Sequence, residues 1–382
     1  MSLFRPAALS GVFAALVPTG MIHAQQPQVS EPPTETVPTA VPTAVPATVP
    51  AAVAPPQPPE LDCSLAGARS RAARLMPALQ QGYGVQYWGE GYDATTLAAQ
   101  PHGLLIVEVT KTGAPYTETG QELFFTPEEI TAIRHDGSRP TLGYLNVSEI
   151  ETYRDYWIDQ IGTTAPGTLP EWYGPTAGHG DHLAAYWTQG WRDILLNRVD
   201  RLMQTGVDGL FLDDVLHYYS HALDETLIWP EGQRPDGPTG APALAQGMMA
   251  LVRTVADRAR LWNCDAFIVV NNGVFIGRDA AGATPGPAER AGFGAYLDAI
   301  DAVMVENVSA PTTHIHTIEA LQQDFRDHGV AVLSLDVETQ FPEQTTDDLR
   351  AKITDKARQA GFYPYVSADA VFNRLTPPIL LP

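Results

Sequence analysis

The chain has 382 residues, of which 44 are acidic and 23 basic, for a formal net charge of -21. That balance excludes a nucleic-acid partner, whose phosphates need a Lys/Arg surface, and disfavours an anionic membrane surface. A neutral or cationic ligand suits it. Two cysteines exclude a disulfide-dense scaffold and a cysteine-based zinc cluster, while 44% hydrophobic residues suffice for a large core.

Residues 1–24 read as a removable export signal. Arg5 supplies the positive start, Ala7 to Val17 is a short uncharged apolar run, and Ala24 is a small residue before a cut at Gln25. The run is too short to span a bilayer, and no other stretch is long and apolar enough. The expected location is therefore periplasmic or secreted. In that compartment Cys63 and Cys264 either pair or remain separate buried thiols, and sequence leaves both open.

Residues 25–60 read as a disordered Pro-rich linker, with 11 prolines between positions 27 and 59 and a repeat at Pro38, Pro42, Pro46 and Pro50. Proline every fourth residue excludes helix and sheet and favours an extended polyproline II spacer. Its reach is ~100 Å at ~3.1 Å per residue. The remainder, 61–382, is the expected folded domain.

Eight short apolar runs follow, at 84–88, 103–109, 141–147, 209–214, 267–272, 301–307, 330–336 and 361–367. Most are rich in Val, Ile, Leu and Phe, as strands buried on both faces must be. Helical patterns fill most intervals: 126–134 behind a Thr cap, 191–206 ending at Gly206, and 243–262, 312–328 and 345–360. Eight strand–helix units in about 300 residues predict an α/β fold of the (β/α)8 TIM-barrel type. A doubly wound open sheet shares the alternation, but no GxGxxG or GxxxxGK[ST] follows the first strand.

In a barrel the active site is built at the C-terminal strand ends. Those ends carry Tyr87 and Trp88, Glu108, then Asn146, Ser148, Glu149 and Glu151, then Asp213 and Asp214, Asn271 and Asn272, Glu306, Asp336 and Tyr365. So many carboxylates on one rim either hold a hard cation or supply the acid and the nucleophile or base of glycosidic cleavage. Crowded acids drive their pKa values apart, which is what that second chemistry needs. The aromatic residues between Tyr87 and Tyr219 favour sugar, since flat rings stack on pyranose faces, although many are ordinary packing residues. His217 and His221 are spaced i, i+4, His314 and His316 form an HxH, and His179 and His182 share a Gly-rich loop. With no HxH on the first strand and no HExxH, neither a catalytic metal nor a cofactor is expected.

The stretches YGVQYWG, GYLNVSEIETYRDYW, PEWYG, YWTQGWRDIL, GVDGLFLDDVLHY, NNG, DAVMVEN and AGFYPYVS together resemble glycoside hydrolase family 114, the endo-α-1,4-polygalactosaminidases and their bacterial barrel relatives. The resemblance covers about residues 80–370 and implies a (β/α)8 barrel. It also implies a catalytic pair, an Asp closing strand four and a Glu closing strand six, which here are Asp213 and Glu306. Strand alternation puts Asp213 on one face with Phe211 and Glu306 with Met304, but does not choose Asp213 over Asp214.

The resulting expectation is an exported glycosidase acting in endo fashion, as a monomer, on a polysaccharide containing galactosamine-type amino sugars. Its ammonium groups would suit the acidic chain. The expected substrate-binding residues are Tyr87, Trp88, Glu108, Glu149, Glu151, Asp214, Asn272, Asp336 and Tyr365. A non-catalytic polysaccharide-binding module and a metal-dependent hydrolase are the alternatives. The segment 220–240 reads as a local insertion that reshapes the cleft.

Overall fold

The computed structural model describes residues 57–381, apart from 90–91, 112–121, 152, 161–168, 177–180, 225–226, 231–233, 283–285, 309–314 and 341–345. The expected signal segment, most of the linker, His179 and His314 lie outside the described residues.

Eight strands form one parallel sheet in chain order: β1 (Tyr83–Gln86), β2 (Leu104–Val107), β3 (Thr141–Asn146), β4 (Gly209–Asp213), β5 (Phe267–Asn271), β6 (Ala302–Glu306), β7 (Ala331–Val337) and β8 (Tyr363–Ser367). The sheet curls until its ends meet, with the rings of Tyr83 and Tyr365 5.4 Å apart. Helices follow the strands, so this is the predicted (β/α)8 barrel and not an open doubly wound sheet. Each strand falls within two residues of its apolar run.

The strands are buried on both faces because each separates two cores. Val85, Ile106, Leu142, Phe211, Val269, Met304, Leu333 and Leu335 fill the barrel, while the alternate residues Leu105, Leu145, Leu210, Ile268, Val303 and Val332 pack beneath the helices. Each such side chain contributes roughly 1.5–3 kcal/mol over its exposed state. Gly209 opens β4 where a Cβ would stand 2.1 Å from the Phe267 carbonyl oxygen, so only glycine lets β4 and β5 approach there.

The predicted caps are present. Thr126 accepts from the Glu129 N–H at 3.2 Å while Glu129 accepts from the Thr126 N–H at 2.8 Å, which closes a capping box on the helix Pro127–Ile133. The helix Gln189–Gln204 starts on Thr188 and is followed by Gly206 at φ 90°. The pattern at 312–328 yields a helix Ile315–Ala320 that widens into a π turn at Leu321–Phe325.

Two small additions carry no clear signal in the sequence. A two-stranded pair (Thr110–Lys111 with Leu123–Phe124) follows β2. A three-stranded antiparallel sheet (Glu149–Ile150, His182–Ala184 and Tyr173–Thr176) follows β3. Cys63 and Cys264 are joined in a disulfide, with Cα atoms 5.4 Å apart. It ties the start of the described chain to the turn before β5.

Candidate active site

Three adjacent strands end in the same way. β4 closes on Asp213, β5 on Asn271 and β6 on Glu306, and the next residue of each, Asp214, Asn272 and Asn307, is left-handed at φ 59°, 60° and 55°. Asp and Asn tolerate that region better than other residues with a Cβ, so the dipeptides DD, NN and EN are suited to turning the chain sharply off a strand. The pleat then directs the three strand-closing side chains inward, above Phe211, Val269 and Met304.

There they meet. Asn271 Nδ2 donates to Asp213 Oδ1 and to Glu306 Oε1, each at 2.8 Å. The two oxygens are therefore at most 5.6 Å apart. With the N–H bonds of an sp² nitrogen about 120° apart, the expected separation is about 5 Å. Asp213 Oδ1 also accepts from the Asp214 N–H at 2.8 Å, and Oδ2 accepts from the Tyr144 hydroxyl at 3.0 Å. Three donors converge on one carboxylate, which favours its ionised form and fixes its orientation. Burial first, and the charge of Asp213 second, push the Tyr144 phenol far above its usual range, so it remains a donor. Tyr87 is pushed up in the same way, with Asp213 and then Glu306 as the charges. Asp213 and Glu306 are partly exposed at the strand ends, whereas Asn271 is buried.

Asp214 belongs to a second cluster. It accepts from Asn146 Nδ2 at 2.5 Å, and its carbonyl accepts from Ser148 Oγ at 2.6 Å. His217 Nε2 lies 3.5 Å from Asp214 Oδ1 and 3.8 Å from Glu149 Oε1, with Nδ1 3.1 Å from Ser220 Oγ. Glu149, Asp214 and His217 are all buried and are the one group among the described residues with metal-ligand spacing, their ligand atoms lying within 4.8 Å of one another.

Glu108 and Glu151 form a third cluster. Both are buried around Arg154, which donates to Glu108 at 2.7 Å and to Glu151 at 2.8 Å and reaches Glu122 at 3.3 Å. Glu151 also accepts from the Tyr153 hydroxyl. Burial holds the Glu151 carboxyl above its usual range against the pull of Arg154. Glu122 is buried too, but Arg198, Arg154 and Arg201 outweigh that and hold it at about 2. A guanidinium threaded among three carboxylates neutralises charge inside the protein.

The remaining candidates divide. Tyr87 packs its ring on Tyr144 at 4.7 Å and on Phe372 at 5.6 Å, near Asp213 and Glu306. Trp88 is half-buried and donates from Nε1 to the Val371 carbonyl at 2.9 Å. Asn272, one residue past β5, accepts from the Glu306 N–H at 3.4 Å, while Asn271 reaches between the carboxylates. Asp336 is fully buried on the face of β7 opposite Leu335 and Val337, which line the barrel. Tyr365 is buried in the barrel wall, with its hydroxyl accepting from the Thr376 N–H at 3.1 Å. Of the other aromatic residues, Tyr156, Trp172, Tyr186, Trp191 and Tyr218 are core.

The model of glycoside-hydrolase family GH114 matches residues 108–375. This chain belongs to that family. It is 27% identical over 297 residues to an uncharacterized protein of Deinococcus radiodurans, covering 74% of this chain and 80% of that one. It is 25% identical over 189 residues to an uncharacterized protein of Thermotoga maritima, covering 49% of this chain and about half, 51%, of its relative. The crystal structure of Aspergillus fumigatus Ega3 in complex with galactosamine superposes with a TM-score of 0.51 at 13% identity, covering 78% of this chain and 96% of that one. At that identity the likeness is one of fold. The matched region is that of a glycoside-hydrolase family. No helix among the described residues is long and apolar enough to cross a membrane.

Proposed function

We propose that the protein cleaves an amino-sugar-containing, galactosamine-type polysaccharide from within the chain, with Asp213 as nucleophile and Glu306 as general acid/base. The observation that carries this reading is the bridge from Asn271 Nδ2 to both carboxylates. It holds two acids of different surroundings about 5 Å apart, the spacing of double displacement; inversion needs ~6.5–9.5 Å to admit a water. Asp213, with three donors on it, suits the ionised nucleophile. Glu306 gives its proton to the departing glycosidic oxygen while Asp213 bonds to the anomeric carbon. It then takes a proton from the water that releases the sugar with retained configuration.

The net charge of -21 supports a cationic, partly deacetylated polymer as substrate. Ega3, which shares the fold, was crystallised with galactosamine. Residues 1–24 are proposed to direct export, with 25–60 as the spacer that carries the barrel. Tyr87 and Trp88 are proposed to line the sugar site.

The test is a reducing-end assay of the purified protein on partially deacetylated α-1,4-galactosamine polymer, beside Asp213→Asn and Glu306→Gln. New ends are expected from the wild type, at least a thousand-fold fewer from either variant, and the first-formed anomer should be α. Near-wild-type turnover in either variant would sink the assignment. Binding of the polymer without new ends would favour a binding module.

A further inference from the structure

Asn271 stands on the strand between the two that carry Asp213 and Glu306, and it is 3% exposed. One nitrogen donates to both acids. The opposite amide orientation would set a carbonyl oxygen against an Asp213 carboxylate that already accepts from the Tyr144 hydroxyl and the Asp214 N–H, with no proton between the two oxygens, so the assignment follows from the chemistry. A carboxamide nitrogen here only donates. Asp213 Oδ1 and Glu306 Oε1 must therefore act as acceptors in whatever state their carboxyls hold.

We propose that Asn271 is a positioning residue that holds a single negative charge between Asp213 and Glu306 through the reaction and assigns the acid's proton to Glu306 Oε2. This rests on the glycosidase reading above. In the resting site Asp213 is ionised and Glu306 is protonated. A carboxyl's carbonyl oxygen accepts better than its hydroxyl oxygen, so the Asn271 bond on Oε1 leaves the proton on Oε2. In the first step an Asp213 oxygen bonds to the anomeric carbon, the bond from that carbon to the glycosidic oxygen breaks, and the Oε2 proton passes to that oxygen. The charge has moved to Glu306, where the second N–H of Asn271 already lies. In the second step water gives a proton to Glu306 and its oxygen bonds to the anomeric carbon. The ester bond breaks, and its electron pair returns to Asp213 opposite the first N–H. Neither hydrogen bond has to re-form, so no reorganisation accompanies the charge.

The titratable groups coupled to the pair are the phenols of Tyr83 on β1, Tyr87 just beyond it and Tyr144 on β3, and the other acids acting on those phenols are Asp336, Glu108, Glu151 and Asp214. The three phenols are kept neutral by burial and then by the nearby acids. They do not titrate with the pair.

The test compares wild type, Asn271→Leu and Asn271→Asp by ¹³C-observed carboxyl titration and by the pH–rate profile on the polymer that the wild type cuts. Loss of the donor raises both titration steps, so in Asn271→Leu both limbs of the profile should move to higher pH and kcat should fall about a hundred-fold. Asn271→Asp donates only when protonated, so its activity should recover toward acidic pH, where the Leu variant gains nothing. Unchanged carboxyl titrations in folded Asn271→Leu would overturn the proposal, as would an Asp variant with a wild-type profile. A wild type that cuts no polymer overturns the glycosidase reading, and the titrations still decide the coupling.

Discussion

Arg154→Met is the sharpest test of how the inner acids are used. The Arg154 side chain is 1% exposed and forms ion pairs with Glu108, Glu151 and Glu122. Methionine keeps most of the volume and removes the charge. Breaking a buried pair by removing one partner costs about 3–5 kcal/mol, because the other charge stays buried without compensation. Here two carboxylates lose their shortest contact with a cation, and Glu122 keeps Arg198 at 2.9 Å.

The loss has a pH dependence of known sign. Burial already holds the folded-state Glu151 carboxyl above its usual value, and Arg154 is the largest influence opposing that. Without Arg154 the folded-state value rises further above the unfolded value of about 4.3. Between those two values the folded protein binds more protons than the unfolded one, so the variant's stability falls as pH rises. Chemical denaturation at pH 5 and pH 7.5 should show a deficit that is larger at pH 7.5 and reaches about 3–5 kcal/mol there. A deficit below about 1 kcal/mol, or one independent of pH, would refute the reasoning and return Glu108 and Glu151 to the substrate.

Tyr144→Phe removes the hydroxyl bond to Asp213 Oδ2, a bond to a charged group worth about 1.5–3 kcal/mol. It should lower kcat roughly ten- to a hundred-fold and move the acid limb of the pH–rate profile to higher pH; an unchanged profile would remove Tyr144 from the site. Glu122, held at about 2, contributes stability that is fully present above its unfolded value and is lost as pH falls through 4.5 toward 2. Glu122→Gln should flatten the acid unfolding curve over that interval. Replacing Cys63 and Cys264 by Ser opens a link across 201 residues and should cost up to about 5 kcal/mol in non-reducing denaturant titrations, with no effect of reductant on the variant. Dialysis against a chelator should leave turnover unchanged, since the proposed steps use Asp213 and Glu306 and not the Glu149–Asp214–His217 group. Loss of activity restored by a divalent cation would favour the metal-dependent reading.

Much of this molecule is legible one residue at a time. Runs such as FIVVNN and DAVMVEN read as strands covered on both sides, and eight of them alternating with helices match the count of a barrel. Strand-end positions for Asp213 and Glu306 follow from the length of each run, and their shared face with Phe211 and Met304 follows from the pleat. Thr126 and Gly206 announced a helix start and a helix end because such signals are local, a cap being a bond between residues three apart.

What depended on the tertiary structure involves partners distant in sequence. In NN, either amide could have met the acids. The left-handed turn at Asn272 leaves Asn271 as the inward residue, and only closure of the sheet puts β4 and β6 on either side of it. In SEIETYR, Glu149 and Glu151 share a strand face on paper, yet one lies with Asp214 and His217 and the other on Arg154, because β-pairing ends at Ile150. Arg154 carries no mark in the sequence of the three carboxylates it serves. Those carboxylates lie 46, 32 and 3 residues away, and whether an acid meets a ligand or an arginine is decided by which desolvated charge the packed chain brings beside it.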